Sequence, residues 1–167
     1  MNIFFLHYDP VAAATLHVDK HVVKMVLETA QLLSTAHHVL DGPEIISSLP
    51  NLYQPTHVNH PCAVWVRSGD LPYQWTAALL RELCREYTHR YGKIHKVQAS
   101  GLLDTLLAHV PRNIPQDTWT DPPQAMPVEY QRESTVDAYR AYYVNAKAHL
   151  HAWRNRPVPV WAVPAAQ

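Results

Sequence analysis

The sequence predicts an all-α protein, a compact single-domain bundle of about five helices with long, ordered, proline-rich loops. Two long stretches, His17–Leu40 and Leu71–Tyr91, repeat apolar residues at helical spacing. Strong stop signals follow them, 41–43 (Asp-Gly-Pro) after the first and Gly92 after the second. The chain has 14 prolines against 4 glycines, which indicates rigid connectors rather than flexible linkers.

Composition limits the functions that we expect. At 167 residues the chain is long enough for one domain with a full hydrophobic core. Lys plus Arg and Asp plus Glu each number 14, so any contact with nucleic acid needs a local basic patch. Cys62 and Cys84 have no paired spacing, and no apolar run is long enough to predict a membrane span. We therefore expect a cytoplasmic protein without a membrane partner.

The first long stretch, His17–Leu40, is predicted to be a central helix with a narrow polar stripe. Apolar residues surround most of it, whereas an ordinary surface helix is apolar along one stripe only. The polar side chains recur at alternating steps of four and three: His17, His21, Lys24, Glu28, Gln31, Thr35 and His38. We expect this stripe to face a cavity or a ligand. The alternative is a core helix with one solvated edge.

The other elements follow from their end signals. Residues 2–6 are aromatic and β-branched, and predict an extended segment in the core. A helical turn over 11–14 would lead into the central helix. Further helices are predicted over 61–67, 71–91, 100–110 and 134–153, and ordered loops over 44–59 and 111–127.

The long helix over 71–91 has a predicted core face and a predicted outer face. The core face carries Trp75, Leu79, Leu83 and Tyr87, with Leu80 and Cys84 alongside. The outer face carries Arg81, Glu82, Arg85, Glu86 and Arg90. The helix runs into a concentrated basic segment, where we single out Arg90, Lys93, His95 and Lys96 as candidate phosphate contacts. The alternative is a solvated helix end that complements the helix dipole.

The segment before Pro61 is a second candidate binding region. It places His57, Asn59 and His60 at a predicted helix N-terminus, where free N–H groups and the helix dipole favour anions. Trp65 and Arg67 follow at once, and this pair suits a nucleotide because aromatic rings stack on bases and Arg meets phosphate. Core packing is the alternative for the aromatic residue.

Glu28 is the carboxylate that we expect to carry chemistry. It lies on the polar stripe one turn from Lys24 and two turns from His21, among apolar neighbours. A partly buried carboxylate can act as an acid or base, and a desolvated lysine can act as a nucleophile. A structural Lys24–Glu28 pair is the competing explanation.

A metal site is the alternative chemistry. His21 and Glu28, joined by His57 and His60, would supply a plausible nitrogen and oxygen ligand set for a divalent metal. Their spacing does not match a zinc-protease signature, so no cofactor is favoured.

The order of these features resembles the small all-helical pyrimidine-dimer DNA glycosylases of the phage endonuclease V type. The resemblance rests on a short N-terminal segment, a D-x-H motif at Asp19 and His21, and Glu28 on the following helix. It continues to the closing stretch MPVEYQ…AYRAYYVNAKAHLHAW. The family implies a covalent glycosylase and lyase reaction in which the N-terminal amine attacks the sugar and the glutamate assists. The strings HVDKHVVKMVLETAQLL, THVNHPCAVWVR and HRYGKIHK also resemble short phage-encoded proteins of no assigned activity.

The leading hypothesis is therefore an enzyme of the DNA glycosylase or abasic-site lyase kind, acting on DNA or a nucleotide at a base or glycosidic bond. Glu28 would be its acid/base or electrostatic residue, Lys24 or the N-terminal amine its nucleophile, and His21 a neighbouring catalytic side chain. The rival hypotheses are a metal-dependent hydrolase or oxygenase, and a non-enzymatic phage-type binding or inhibitor protein.

Overall fold

The protein folds as a set of helices joined by ordered loops, and its computed structural model describes residues 2–163. No β-strand occurs in that range, so the all-α prediction is confirmed, and five of the eight α-helices have seven residues or more. The helices are α1 (Pro10–Leu16), α2 (Asp19–Leu40), α3 (Pro43–Ser47), α4 (Pro61–Val66), α5 (Asp70–Tyr91), α6 (Lys96–Ala99), α7 (Leu102–Ala108) and α8 (Thr135–Ala146). Across residues 2–163 no helix is long and apolar enough to cross a membrane.

The core forms where α2 and α5, each of 22 residues, pack against one another. α1 packs on α5, and α4 and α7 pack on α2. The start of the chain runs through this core, because every residue of 3–6 is at most 4% exposed. The prediction that this segment lies in the core is thus confirmed. It brings Asn2 and Phe4 beside α2.

Local signals explain where the helices begin and end. α2 ends at Leu40, and the main-chain N–H of Asp41 caps it by donating to the His37 carbonyl at 2.9 Å. Gly92 ends α5 with a φ of 67°, a left-handed conformation that glycine adopts without strain. His60 caps the start of α4, where its side chain accepts from the Cys62 N–H at 3.1 Å. These three boundaries match the sequence prediction.

Several predicted details are wrong. His17 does not lie on the central helix, because Val18 is extended (ψ 155°) and separates α1 from α2. α8 ends at Ala146 rather than near 153. The short helices α3 and α6 were not predicted, since four or five residues give too little periodicity to recognise.

The largest correction concerns the outer face of α5. Glu82, Glu86 and Arg90 are 7%, 3% and 1% exposed, so three of the five residues expected to face solvent are buried. Arg90 lies inside a polar cluster in which its guanidinium donates to four acceptors: Glu86 Oε2 at 2.8 Å, the His17 carbonyl at 2.7 Å, Asp19 Oδ1 at 3.0 Å and the Thr15 carbonyl at 3.0 Å. This Arg90 cluster joins α1, α2 and α5.

We predict that Arg90→Met lowers the free energy of unfolding by about 3–5 kcal/mol, because the carbonyls of Thr15 and His17 lose their donor and the Asp19 carboxylate loses its cation. Urea denaturation followed by circular dichroism measures this. Arg85→Gln is the matched control on the same helix, since the Arg85 side chain is 71% exposed where it meets Glu82 and should contribute less than about 1 kcal/mol. Equal stability of the two variants would contradict a structural role for the Arg90 cluster.

We also predict a loss of stability in mild acid from His17 and His37, which are fully buried. Burial lowers the pKa of each from 6.5 to about 4. Between these values the unfolded chain binds protons that the folded chain does not, so the free energy of unfolding falls as the pH drops through this window. From pH 7.5 to pH 5 the expected decrease is about 2 kcal/mol for each histidine.

Urea titrations at a series of pH values test this pH dependence. The variant His149→Gln, at an exposed position, should keep the same dependence as the unmodified chain. A free energy of unfolding that stays constant from pH 7.5 to pH 5 would contradict the prediction.

Candidate functional site

A polar cleft of about 150 Å³ lies where α2, the start of the chain and the end of α8 meet. Eight residues line it: Asn2, Phe4, His21, Lys24, Met25, Glu28, Tyr142 and Lys147. It thus collects the three residues that the sequence marked as catalytic, His21, Lys24 and Glu28. We refer to it as the Glu28 cleft.

The α2 wall of the Glu28 cleft is the first half of the predicted polar stripe. His21 is buried, Lys24 is exposed and Glu28 is half-buried, so this wall of the cleft combines a buried imidazole with an accessible amine and a partly accessible carboxylate. Lys24 makes no ion pair with any other residue of 2–163, so its ammonium remains available in the cleft.

The second half of the stripe has a different role. Thr35 is buried, and its hydroxyl exchanges hydrogen bonds with the main chain of Thr56 at 3.2 and 3.3 Å. His38 Nε2 bonds to the Tyr53 carbonyl at 3.0 Å. The expectation that the stripe faces a cavity therefore holds for residues 21–28, and beyond them the stripe anchors the loop that follows α3.

Asn2 fixes the start of the chain against the cleft. Its Oδ1 accepts from the Ile3 N–H at 2.7 Å and from the Tyr139 hydroxyl at 3.1 Å, and lies 3.5 Å from the Cys62 thiol. Its Nδ2 donates to the Ala125 carbonyl at 2.9 Å. These contacts join α4, α8 and the 111–127 loop at one side chain. The sequence did not indicate this role, since an asparagine near a chain terminus carries no distinguishing pattern.

His21 is held on two sides. Its ring stacks on Phe4, with centroids 4.3 Å apart and planes at 15°, and its Nδ1 lies 2.6 Å from the hydroxyl of Tyr143, which is fully buried. Burial, followed by the charges of His17, Lys147 and Lys24, lowers the pKa of His21 to about 3. His21 is therefore a neutral hydrogen-bonding group near pH 7 and does not supply a proton as imidazolium.

The α8 wall of the cleft carries Tyr142 and Lys147. The Lys147 ammonium lies 5.1 Å from the centre of the Tyr142 ring, a cation–π contact that holds the side chain in place. Sequence reasoning missed Lys147. The available signal was the aromatic and basic composition of the 139–147 segment, which gave no reason to place it opposite α2.

The residues predicted around Pro61 lie outside the cleft. His57 and Asn59 are exposed, while His60 caps α4. Burial lowers the pKa of His60, and the charge of the Glu28 carboxylate opposes this, so the two side chains interact electrostatically.

Trp65 is 5% exposed and donates to the Thr120 carbonyl at 2.9 Å, and Arg67 donates to the Val58 carbonyl at 2.7 Å. Trp65 and Arg67 are therefore each hydrogen-bonded within the protein.

The basic segment after α5 is divided between core and surface. Arg90 is inside its buried cluster and cannot meet phosphate in this conformation. His95 is 8% exposed and caps α6, where it accepts from the Val97 N–H at 3.1 Å. Lys93 and Lys96 are exposed and remain candidates for contact with a phosphate backbone, away from the Glu28 cleft.

The alternative metal ligands do not form one group of three or more among the described residues. Within residues 2–163, no three His, Cys, Asp or Glu side chains form a group that could hold a metal ion, and this includes His21, Glu28, His57 and His60. The N-terminal amine, which the family resemblance suggests as a nucleophile, belongs to Met1 and lies outside the described residues.

Comparisons with family models, with curated proteins and with solved structures gave no significant match.

We predict that His21 stays neutral from pH 8 to pH 5 in the folded protein, because its pKa is about 3. Nitrogen chemical shifts of the imidazole, recorded across this range, measure its protonation directly. In urea the same histidine should titrate near 6.5, the value of an unperturbed imidazole. A titration of His21 in the folded protein with a midpoint between pH 5 and pH 8 would contradict the burial argument.

Proposed function

We propose that the protein is an enzyme that acts on DNA or a nucleotide at a base or glycosidic bond, with the Glu28 cleft as its active site. The observation that carries the proposal is the convergence in one cleft of a carboxylate, an amine and a neutral imidazole: Glu28, Lys24 and His21. All three lie on one long helix, and such a rigid element suits the positioning of reacting groups.

An amine can cleave a glycosidic bond by covalent catalysis. As a neutral nucleophile, its nitrogen attacks C1′ of the sugar; the bond from C1′ to the base breaks, and its electron pair leaves with the base, which takes up a proton. The sugar ring then opens, its oxygen leaves C1′ and takes a proton, and C1′ becomes doubly bonded to nitrogen as an imine. Elimination from this imine breaks the DNA strand.

Glu28 is suited to assist at two points. Positive charge develops at C1′ as the base departs and again on the iminium nitrogen, and a nearby carboxylate in a half-buried site stabilises it. The same carboxylate can accept the proton that the amine loses. His21, being neutral, would orient the substrate through a hydrogen bond rather than supply a full charge.

Two amines are candidate nucleophiles. Lys24 lines the cleft one turn from Glu28 and has no ion-pair partner in the described chain. The N-terminal amine is suggested by the resemblance to the endonuclease V type, and Asn2, the next residue, also lines the cleft. Attack by either amine would give the same kind of imine at C1′.

The charges of the chain are compatible with a nucleic-acid substrate that is bound locally. Overall charge is balanced at 14 against 14, so long-range attraction is weak. Lys24 and Lys147 in the cleft and Lys93 and Lys96 on the surface supply positive charge without carboxylate partners among residues 2–163. We expect affinity for DNA to fall steeply with added salt.

Borohydride trapping tests the proposal. When the protein is incubated with DNA containing an abasic site or a pyrimidine dimer, borohydride should reduce the imine to a stable covalent adduct that is visible on a denaturing gel. Glu28→Gln should lower the rate of adduct formation about a hundredfold or more, because it removes a group that handles protons in the reaction. Glu44→Gln, at an exposed position on α3, is the matched control and should react at the unmodified rate.

The nucleophile is identified by two further changes. Lys24→Met removes one amine, and selective acetylation of the α-amine blocks the other. The change that abolishes trapping identifies the attacking amine. If the unmodified protein forms no adduct and cleaves neither DNA nor nucleotides, the proposed reaction is wrong. The non-enzymatic binding hypothesis would then gain if Glu28→Gln weakened a protein partner.

A further inference from the structure

We propose that Lys147 binds a phosphate group attached to the reacting sugar, and that His21 donates a second hydrogen bond to it through Nε2–H. This inference rests on the proposed function, because it assigns the substrate's orientation in the Glu28 cleft. It adds Lys147 as a binding residue and Tyr143 as a positioning residue. The substrate class is a sugar phosphate, as a nucleotide or within a DNA strand.

The position of Lys147 is the first argument. It follows the end of α8, on the wall opposite Lys24 and Glu28, so the cleft has an amine on each side. Among residues 2–163 it pairs with no carboxylate, and the Tyr142 ring holds its ammonium at 5.1 Å. A cation that is ordered but not neutralised is suited to an anionic ligand.

The hydrogen-bond pattern of Tyr143 is the second argument. Its hydroxyl oxygen accepts from the Val18 N–H at 3.4 Å, and its single proton has one acceptor among the described residues, His21 Nδ1 at 2.6 Å. Tyr143 therefore donates to Nδ1, and the proton of the neutral imidazole lies on Nε2. Since His21 lines the cleft, this tautomer presents a donor there.

The size and charge of the cleft are the third argument. Its volume of about 150 Å³ suits a phosphate group with part of its sugar and is too small for a stacked base pair. Among the described residues that line the cleft, Lys24 and Lys147 are cationic and Glu28 is anionic, so the lining favours an anionic group beside the lysines. With phosphate at Lys147, the sugar carbon is directed toward Lys24 and Glu28, and the base remains outside.

Binding of deoxythymidine 5′-monophosphate and of deoxythymidine, measured by calorimetry, tests the assignment. Lys147→Gln should weaken binding of the monophosphate about tenfold, the typical effect of losing one charged hydrogen bond, and should change binding of the nucleoside less than about twofold. Lys147→Arg should restore most of the affinity. Lys20→Gln removes the same charge from an exposed site on α2 and should change neither.

Tyr143→Phe tests the tautomer separately. In the unmodified protein, imidazole nitrogen shifts should show a protonated Nε2 and an unprotonated Nδ1 for His21. In Tyr143→Phe the two tautomers should mix, and affinity for the monophosphate should fall while far-ultraviolet circular dichroism is unchanged. A protonated Nδ1 in the unmodified protein would overturn the role given to His21.

The outcomes separate this inference from the proposed reaction. Loss of monophosphate affinity in Lys147→Gln, with no borohydride adduct in the unmodified protein, would support the phosphate site and reject the lyase reaction. A loss seen with an abasic oligonucleotide but not with the monophosphate would support the site and identify its ligand as backbone phosphate. Unchanged affinity of Lys147→Gln for both ligands would overturn the inference, whatever the activity.

Discussion

The Arg90 guanidinium, buried between three helices, is the interaction on which the rest of the structure depends. Arg90 is 1% exposed, and a cation so deeply buried is stable only when its N–H groups are hydrogen-bonded. Here they donate to the carboxylates of Glu86 and Asp19 and to the carbonyls of Thr15 and His17. These acceptors belong to the end of α1, the start of α2 and the body of α5. The cluster therefore ties the start of α2 to the end of α1 and to α5.

The Arg90 cluster and the Glu28 cleft are physically connected. Val18, next to the His17 carbonyl that Arg90 binds, donates its N–H to Tyr143, and the Tyr143 hydroxyl lies 2.6 Å from His21 Nδ1. A chain of hydrogen bonds thus runs from the buried cation to the wall of the cleft. It keeps the His21 ring in one orientation without a nearby charge that would protonate it. The positive charge of Arg90 is balanced inside the core by the carboxylates of Glu86 and Asp19. The positive charges of Lys24 and Lys147 have no carboxylate partner among residues 2–163 and remain available in the cleft.

Features set by local sequence could be predicted, and those set by distant contacts could not. The ends of α2 and α5 and the beginning of α4 are set locally. The Asp41 N–H donates to the His37 carbonyl, Gly92 takes a left-handed conformation, and His60 accepts from the Cys62 N–H. The α2 half of the cleft also followed, since helical spacing alone puts Lys24 and Glu28 on one face.

The burial of Arg90 and the position of Lys147 in the cleft could not be predicted, because each depends on residues far away in the chain. The helical spacing of α5 predicts that Arg90 faces solvent, whereas its partners Thr15 and Asp19 lie more than 70 positions earlier in the chain. Lys147 meets α2 only because α8 packs across the start of the chain, a pairing that no periodicity encodes. His21 illustrates both cases, since its place on the helix was predictable and its neutral, Tyr143-bound state was not.

Mapping the position of the sugar on the borohydride-reduced protein is the most direct measurement of the central claim, that the Glu28 cleft is an active site. Digestion and mass spectrometry of the adduct give the modified amine without reference to any variant. The account predicts a single modification, on Lys24 or on the N-terminal amine. Modification confined to the exposed lysines Lys20, Lys93 or Lys96, or scattered over all of them, would contradict it.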